Sequence, residues 1–349
     1  MAYDTQKQYL YLNSPIEYKF LKPKQEWITY NEPEDHLRSL SNILKKLYPS
    51  KGLNIGCISF KDLPLANYFN RKNDKIWKID LEKDLNTKKY YGVETIQQKL
   101  NTNIANRLLN KHGLSDILLI RHIWEHINDQ QSFCNSIKLL THNKSLLVFE
   151  IPDCLDSLKN LDYSMIWEEH LYYYTKNSFV NSLKTNGFKI IKFVKYKYPY
   201  ENVLLAIAQK SIKVNFNVKL KRDDILDNIV YRYINKFEDV KREYHNKLKN
   251  ISMNNTIVIH GVGHLSFSYI SYFKIEKYIN FYIDDNSFKI GKYLPNGLAK
   301  IMSSDLYKNK QNFICLLGMN PNIHQRVKKD LLKFKSIKKI KSLFKIKSI

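Results

Sequence analysis

The chain has 349 residues, of which 44% are hydrophobic, and a formal net charge of +24. This length suits two domains of ordinary size, and no apolar run reaches the ~18 residues that cross a membrane. The N-terminal stretch lacks the basic head and apolar core of a signal peptide, and the four cysteines are far apart with no C-x-x-C pair. We therefore expect a cytoplasmic protein without a zinc-binding or disulfide framework.

The excess of lysine raises the question of a polyanionic partner. Lysines are spread over many segments instead of forming one arginine-rich stripe, so we expect no nucleic-acid partner. The exception is the segment 328–349, in which lysines alternate with apolar residues. We interpret it as a solvated helix face followed by a final strand, and weak contact with an anionic membrane surface is the alternative.

The predicted elements of the first two thirds of the chain alternate between strand and helix. The first ~30 residues show no clear period and are expected to form an irregular arm. The predicted strands are 52–58, 75–80, 116–120, 145–151, 188–196 and 202–209, and the main helices are 32–47, 129–140 and 175–185. Apolar strands that alternate with helices predict a parallel sheet covered on both faces.

The last third repeats this pattern on a smaller scale. A charged helix over 223–249 is predicted to connect the two parts, and it is followed by strands at 256–260, 279–284 and 312–317. We therefore predict an α/β fold with two domains. The predicted boundaries are 1–44 for the arm and first helix, 45–215 for the first domain, 216–253 for the connector and 254–349 for the second domain.

The ends of the first two predicted strands carry a nucleoside-binding pattern. Gly56 lets the backbone approach a ligand, and Asp80 ends the next strand, where a carboxylate can bind both hydroxyls of a ribose. A single glycine after a strand is common, so this pair is a weak signal taken alone.

The segment from Arg121 to Asp129 follows the third strand and contains the spacing H-x-x-E-H, from His122 to His126. Zinc binding would require this stretch on a helix with a third ligand nearby. It lies instead at a strand exit, before Asn128-Asp129, which is a helix start signal. We therefore predict no metal site and expect His122 to lie beside a cofactor pocket.

The segment from Ile166 to Tyr174 combines Glu169 and His170 with four aromatic residues, among them Tyr172 and Tyr174. A carboxylate can raise the basicity of a neighbouring histidine, and aromatic rings can exclude water, as a general base requires. A structural histidine at the edge of an aromatic core is the alternative.

A glycine turn follows the first strand of the second domain. Gly261 and Gly263 precede His264, and Asp284 closes the next strand, which repeats the layout of a nucleotide site. The turn could hold a second nucleotide or the diphosphate of a nucleotide sugar. An NAD-dependent enzyme is a weaker interpretation, because no hydride-transfer residues accompany the turn.

In chain order these segments resemble the motifs of class I S-adenosylmethionine-dependent methyltransferases. The matching runs are NIGCISFKDL, WKIDL, YYGVETI and DILLIRHIWEHINDQQSF, and IWEEHLYYYTKNSFVNSLKTNGFKII resembles the active-site segment of sugar C-methyltransferases. IHGVGH, FYIDDNSFKIGKYLP and LLGMNPNIHQRV resemble the C-terminal domain of that family. The resemblance covers about residues 45–345.

The resemblance implies a Rossmann-like catalytic domain that transfers a methyl group from S-adenosyl-L-methionine, usually to a carbon beside a keto group of a nucleotide-linked sugar. It places His170 as the base and Glu169 as its partner. We expect the cofactor to contact four residues, Gly56, Asp80, Arg121 and His122. We expect the substrate to contact seven, Tyr172, Tyr174, Tyr200, Glu201, Gly261, Gly263 and His264.

The sequence departs from the family at the cofactor loop and at the substrate side. Ile58 and Phe60 replace the next expected glycines of the loop, Trp167 replaces a tyrosine, and the segment 198–202 replaces a glycine-rich stretch. The substrate is therefore expected to differ from that of well-known members. A non-catalytic sugar-nucleotide-binding or scaffolding protein with a degenerate cofactor site is the alternative.

Overall fold

A computed structural model describes residues 1–14, 16–17, 20, 32–69, 73–87, 92–167, 169–198, 201–211, 222–294, 299–309 and 311–345. They divide into two compact units. The described parts of residues 1–22, 31–155 and 168–228 form the first unit, and those of 156–167 and 229–349 form the second. Residues 156–167, predicted within the first domain, thus group with the second unit, as does most of the predicted connector.

The described residues of the first unit form nine strands. They are β1 (Ala2–Asp4), β2 (Tyr9–Tyr11), β3 (Asn54–Cys57), β4 (Lys75–Lys78), β5 (Ser115–Arg121), β6 (Thr141–Asp153), β7 (Tyr172–Tyr173), β8 (Phe188–Tyr196) and β9 (Asn202–Lys210). Six of them form one sheet in the order β4-β3-β5-β6-β9-β8. The first four are parallel, and β9 is antiparallel to both of its neighbours.

Helices cover both faces of this sheet. They are α1 (Leu37–Leu47), α2 (Leu63–Ala66), α3 (Val93–Lys99), α4 (Thr102–His112), α5 (Gln130–Leu139) and α7 (Lys176–Thr185). The intervening α6 (Leu155–Asn160) belongs to the second unit from residue 156 onwards. Successive strand residues point to opposite faces. Leu44 of α1 accordingly shares a buried cluster with Leu119 of β5, whereas Phe133 of α5 shares another with Leu118.

Two short strands lie within the first eleven residues, so the predicted irregular arm is wrong for this part, and most of residues 15–31 lie outside the described residues. β1 pairs with β2, and β2 pairs antiparallel with β7, with Leu10 opposite Tyr173 and Tyr11 opposite Tyr172. Leu10 is 1% exposed. This three-stranded sheet therefore anchors the segment that contains His170.

The second unit is built around a smaller parallel sheet. Its strands are β10 (Thr256–His260), β11 (Phe281–Ile283), β12 (Ile301–Met302), β13 (Phe313–Leu317) and β14 (Ile337–Ser342). They run in the order β12-β11-β10-β13-β14, and every pairing is parallel. Each unit has a largely parallel sheet whose strands alternate with helices along the chain. This confirms the predicted α/β, Rossmann-like fold class.

The predicted connector helix is two helices. α8 (Asp224–Asn235) and α9 (Phe237–Ser252) are separated at Lys236, where no proline or glycine signals a break. The remaining helices are α10 (His264–Phe273) and α11 (His324–Leu331). α11 followed by β14 confirms the helix and strand predicted at the basic end of the chain. No helix among the described residues is long and apolar enough to span a membrane.

Candidate active site

Two segments that are distant in sequence are joined beside the carboxyl end of β5. The amide of Leu171 donates to the carbonyl of Glu125 at 2.9 Å, and Nδ1 of His126 bonds the carbonyl of Glu169 at 2.8 Å. Glu125 and His126 lie in a short 3-10 helix, residues 124–126, that follows β5. These bonds hold His170 against the H-x-x-E-H segment.

His170 is partly buried, and its ring lies edge-on to that of His126 with 4.8 Å between centroids. Burial lowers the pKa of His170 to about 4, although the charges of Glu125 and Glu32 oppose this shift. Lys61 and His122 lower that pKa further. At neutral pH the imidazole of His170 is therefore uncharged and able to accept a proton.

Glu125, which was not assigned from the sequence, is a carboxylate that acts on His170, and of the carboxylates that oppose the lowering of its pKa it has the larger effect. A carboxylate oxygen of Glu125 and a ring nitrogen each from His126 and His170 all lie within 4.8 Å of one another. Glu125 is 2% exposed, whereas Glu169 is partly exposed and contributes its backbone carbonyl to His126. Orientation of His170 by the Glu169 side chain stays a prediction.

A network of buried charges fills the ends of β5 and β6. Arg121 and Glu150, both 0% exposed, form an ion pair at 2.9 Å, and the Arg121 side chain also donates to the carbonyl of Lys61. His36 and His122 each bond Glu150 at 3.0 Å. Despite the opposing effect of burial, Arg121 and these bonds hold the pKa of Glu150 well below its usual range.

The side chain of His122 is surrounded by the carboxylates of Glu32, Glu125 and Glu150. Its backbone φ is +49°, in the left-handed region that few residues other than glycine adopt. Burial alone would lower the pKa of His122, but Glu32, Glu125 and Glu150 raise it to about 10. The side chains of Arg121 and His122 thus bind protein groups, and their predicted contact with a cofactor stays a prediction.

Gly56 lies near the carboxyl end of β3, and Asp80 follows the carboxyl end of the neighbouring strand β4, as predicted from the sequence. A Cβ on Gly56 would lie 2.6 Å from Trp77 and 2.7 Å from Leu118, so close packing within the sheet already requires glycine there. Asp80 follows β4, and its Oδ1 accepts the amides of Glu82 and Lys83, both at 2.9 Å. Oδ2 of Asp80 has no hydrogen-bond partner among the described residues.

The predicted substrate residues of the first unit differ in exposure. Tyr172 and Glu201 are partly exposed, whereas Tyr174 is 1% exposed and packs in the hydrophobic core. The Tyr174 hydroxyl accepts from Nε2 of Gln130 at 2.9 Å, which gives this side chain a structural role. Tyr200 lies outside the described residues.

The glycine turn of the second unit links β10 to α10. Gly261 has φ +88°, and a Cβ there would lie 2.5 Å from Cε and 2.9 Å from Cβ of Met319. A Cβ on Gly263 would meet no atom of the described residues within 4 Å. The ring of His264 stacks on that of Trp167 with 4.5 Å between centroids.

Asp284 fixes this turn from the end of β11. Its Oδ2 accepts the amide of Val262 at 2.9 Å and pairs with Nζ of Lys289 at the same distance. The lysine also donates to the carbonyl of Val262. Asp284 therefore supports the turn itself, and ligand binding by Gly261, Gly263 and His264 stays a prediction.

The sequence analysis missed several members of the buried network. Glu125 and His126 belonged to a recognised spacing, which was set aside because it does not lie on a long helix. No local pattern identified the other members, which come from separate elements: His36 beside α1, Glu150 of β6, and Glu32.

Comparison with known proteins gives one short sequence match. The chain is 26% identical over 100 residues to the C-methyltransferase NovU of Streptomyces niveus, and the match covers 29% of this chain and 24% of that protein. The matched region thus spans about a quarter of the length of its curated relative. No protein-family model matches the chain.

Solved structures of methyltransferases are similar to about half of this chain, with low TM-scores. One is the 1,6-didemethyltoxoflavin-N1-methyltransferase of Burkholderia thailandensis, with S-adenosylhomocysteine bound (11% identity, TM-score 0.35, 51% of this chain and 79% of that chain). Another is magnesium protoporphyrin IX methyltransferase from Synechocystis (15% identity, TM-score 0.34, 51% and 83%). At these TM-scores the similarities carry no argument about this chain.

Proposed function

We propose that this protein is an S-adenosylmethionine-dependent methyltransferase that acts on a nucleotide-activated sugar. The observation that carries the proposal is His170, an uncharged, partly buried histidine held beside Glu125 at the carboxyl edge of a Rossmann-like sheet. The short match to a C-methyltransferase supports the same activity.

The cofactor site is proposed at the carboxyl ends of β3 and β4, where ligands bind in open parallel sheets. Oδ1 of Asp80 binds the amides of its own turn, and Oδ2 is available to accept a ribose hydroxyl. When bound there, S-adenosylmethionine would supply an electrophilic methyl group. Gly56, Arg121 and His122 are proposed to shape the same site.

In the proposed reaction, His170 removes a proton from the carbon beside a keto group of the substrate. The electron pair of the broken C–H bond becomes part of an enolate. The enolate carbon would bond to the methyl group as the bond between the methyl group and sulfur breaks, and the electron pair of that bond would remain on the sulfur of the departing S-adenosylhomocysteine. The imidazolium that results is stabilised by the carboxylate of Glu125. Partial burial of His170 limits access of water to the enolate.

The second unit is proposed to bind the nucleotide diphosphate of the substrate. Gly263 is the N-cap residue of α10, and at a helix N-terminus the backbone amides and the helix dipole favour an anion. No atom of the described residues lies within 4 Å of a Cβ on Gly263, which is compatible with the approach of a phosphate. Tyr172 and Glu201 are proposed to contact the sugar.

The Asp80→Ala variant tests the cofactor assignment. Loss of the carboxylate leaves the ribose hydroxyls without an acceptor, and we expect cofactor affinity to fall by about 5- to 100-fold. Titration calorimetry with S-adenosylmethionine measures this change. Asp305→Ala, which removes another exposed aspartate, is the matched control and should bind as the wild type does.

Two results would contradict the proposal. Unchanged affinity in Asp80→Ala would place the cofactor elsewhere. A wild-type protein that binds nucleotide sugar but no S-adenosylmethionine would favour a non-catalytic binding protein.

A further inference from the structure

We propose that Glu125, His126 and His170 form a binding site for a divalent transition-metal ion. One carboxylate oxygen and two imidazole nitrogens, all within 4.8 Å of one another, converge from two separate segments of the chain. Two histidines and one carboxylate are a ligand set that proteins use for zinc and for non-haem iron. Such sites retain open coordination positions.

His126 is oriented as a metal ligand would be. Its Nδ1 bonds the carbonyl of Glu169 at 2.8 Å, and because a carbonyl can only accept, Nδ1 carries the proton. In the neutral ring, Nε2 then presents its lone pair, and it faces Oε1 of Glu125 at 3.9 Å. Fixing a histidine through a carbonyl bond at the other nitrogen is a common feature of metal sites.

Glu125 provides an independent observation. Its side chain is 3% exposed, and its Oε2 is buried without a hydrogen-bond partner among the described residues. Burying a carboxylate oxygen without a partner is costly, and a coordinated cation would remove that cost. His122 faces the other oxygen of Glu125, Oε1, at 3.8 Å. His122 also pairs with Glu32 at 3.4 Å, as Lys61 does at 2.7 Å.

The site has a route for entry and a consequence for the reaction. His170 is partly exposed, whereas the other two residues are buried. The side of His170 is therefore the route by which a metal ion would reach the site. Resting on the proposed function, we further infer inhibition, because the metal would occupy the lone pair with which His170 removes a proton.

Metal binding is tested on the full chain after treatment with a chelator. Added Co²⁺ should give a visible d–d absorption that saturates at one equivalent, and Zn²⁺ should displace it. Glu125→Gln retains the size of the side chain and should weaken Co²⁺ binding by about tenfold or more. His170→Ala should do the same. His142→Ala, which removes a partly exposed histidine that bonds Asp116, should bind Co²⁺ as the wild type does.

The binding data decide the assignment independently of turnover. Absence of saturable absorption in the wild type would overturn the assignment. So would a Co²⁺ affinity in Glu125→Gln and His170→Ala equal to that of the wild type. Full turnover with one equivalent of Zn²⁺ bound would also overturn it, because His170 could not then be a ligand. Lack of turnover in the chelator-treated protein would count against the proposed function, whereas Co²⁺ absorption would still report the metal site.

Discussion

At the scale of single residues, the buried acids and bases of the first unit divide into two groups. Arg121 and Glu150 neutralise each other, and removing either partner would leave a buried charge at a cost of about 3–5 kcal/mol. Glu125 is buried as well, but it lies beside His170, which is partly exposed. The ion pair of Arg121 and Glu150 therefore serves stability, and His170 with Glu125 is accessible for chemistry.

The role of His170 as a base gives the first prediction at this scale. Replacing it with alanine should reduce turnover of the chelator-treated protein by about 10²–10⁴-fold, the usual contribution of a general base. Its partial exposure predicts little change in melting temperature. Turnover and thermal unfolding should be measured on one preparation. A variant that melts early but retains full activity per folded molecule would show that His170 is structural.

A site residue could be predicted from the sequence only where it belongs to a recognisable local pattern. His170 belongs to a dense run of aromatic and titratable residues, and Asp80 ends a recognisable strand. Glu125 was visible within H-x-x-E-H, but its neighbour His170 is 45 positions further along the chain, and only the tertiary fold brings them together. Sequence spacing cannot reveal a cluster that is assembled from separate segments.

At the scale of elements, the glycine turn between β10 and α10 contains two glycines with different requirements. Gly261→Ala should destabilise the second unit by about 1–3 kcal/mol, because φ is +88° and the new methyl group would collide with Met319. Gly263→Ala should change stability by about 0.5 kcal/mol or less, because no atom of the residues that the structure describes lies within 4 Å of the new Cβ.

Thermal or denaturant unfolding of the two variants measures this difference. If the turn binds a diphosphate, the methyl group of Gly263→Ala should also weaken binding of a nucleotide sugar by calorimetry. Equal stability of both variants would show that the turn relaxes around the Met319 contact.

Elements with a clear period were predicted well, and short ones were not. β8 and β10 were predicted with their observed bounds, because apolar runs between turn signals define them. α3 and α4 had no predicted counterpart, and β1 and β2 are only three residues long, too short for a period to emerge. Their stability comes from tertiary pairing, which a local pattern does not contain.

At the scale of the whole molecule, stability should depend on the protonation of His260. This side chain is buried at the end of β10, and burial lowers its pKa below the ordinary value of about 6.5 although Asp285 and Asp284 oppose the shift. The ring of Tyr307 stacks on that of His260 with 5.9 Å between the two centroids. The unfolded chain thus binds the proton more readily than the folded chain, so stability should fall as pH drops below about 6.5.

Thermal melts between pH 8 and pH 5 measure this dependence. His260→Asn removes the titrating group, and its melting temperature should fall less steeply than that of the wild type as the pH decreases. A parallel decrease in both proteins would assign the acid sensitivity to other groups.

The pairing of β2 with β7 has a consequence for synthesis on the ribosome. Tyr11 pairs with Tyr172, so the N-terminal strand remains without this partner while the intervening ~160 residues are made. At about 5–20 residues per second, this delay lasts roughly 10–30 s. During that interval Leu10 and its neighbours form an apolar segment with an unpaired edge, which is the kind of surface that nascent-chain chaperones bind and that promotes aggregation.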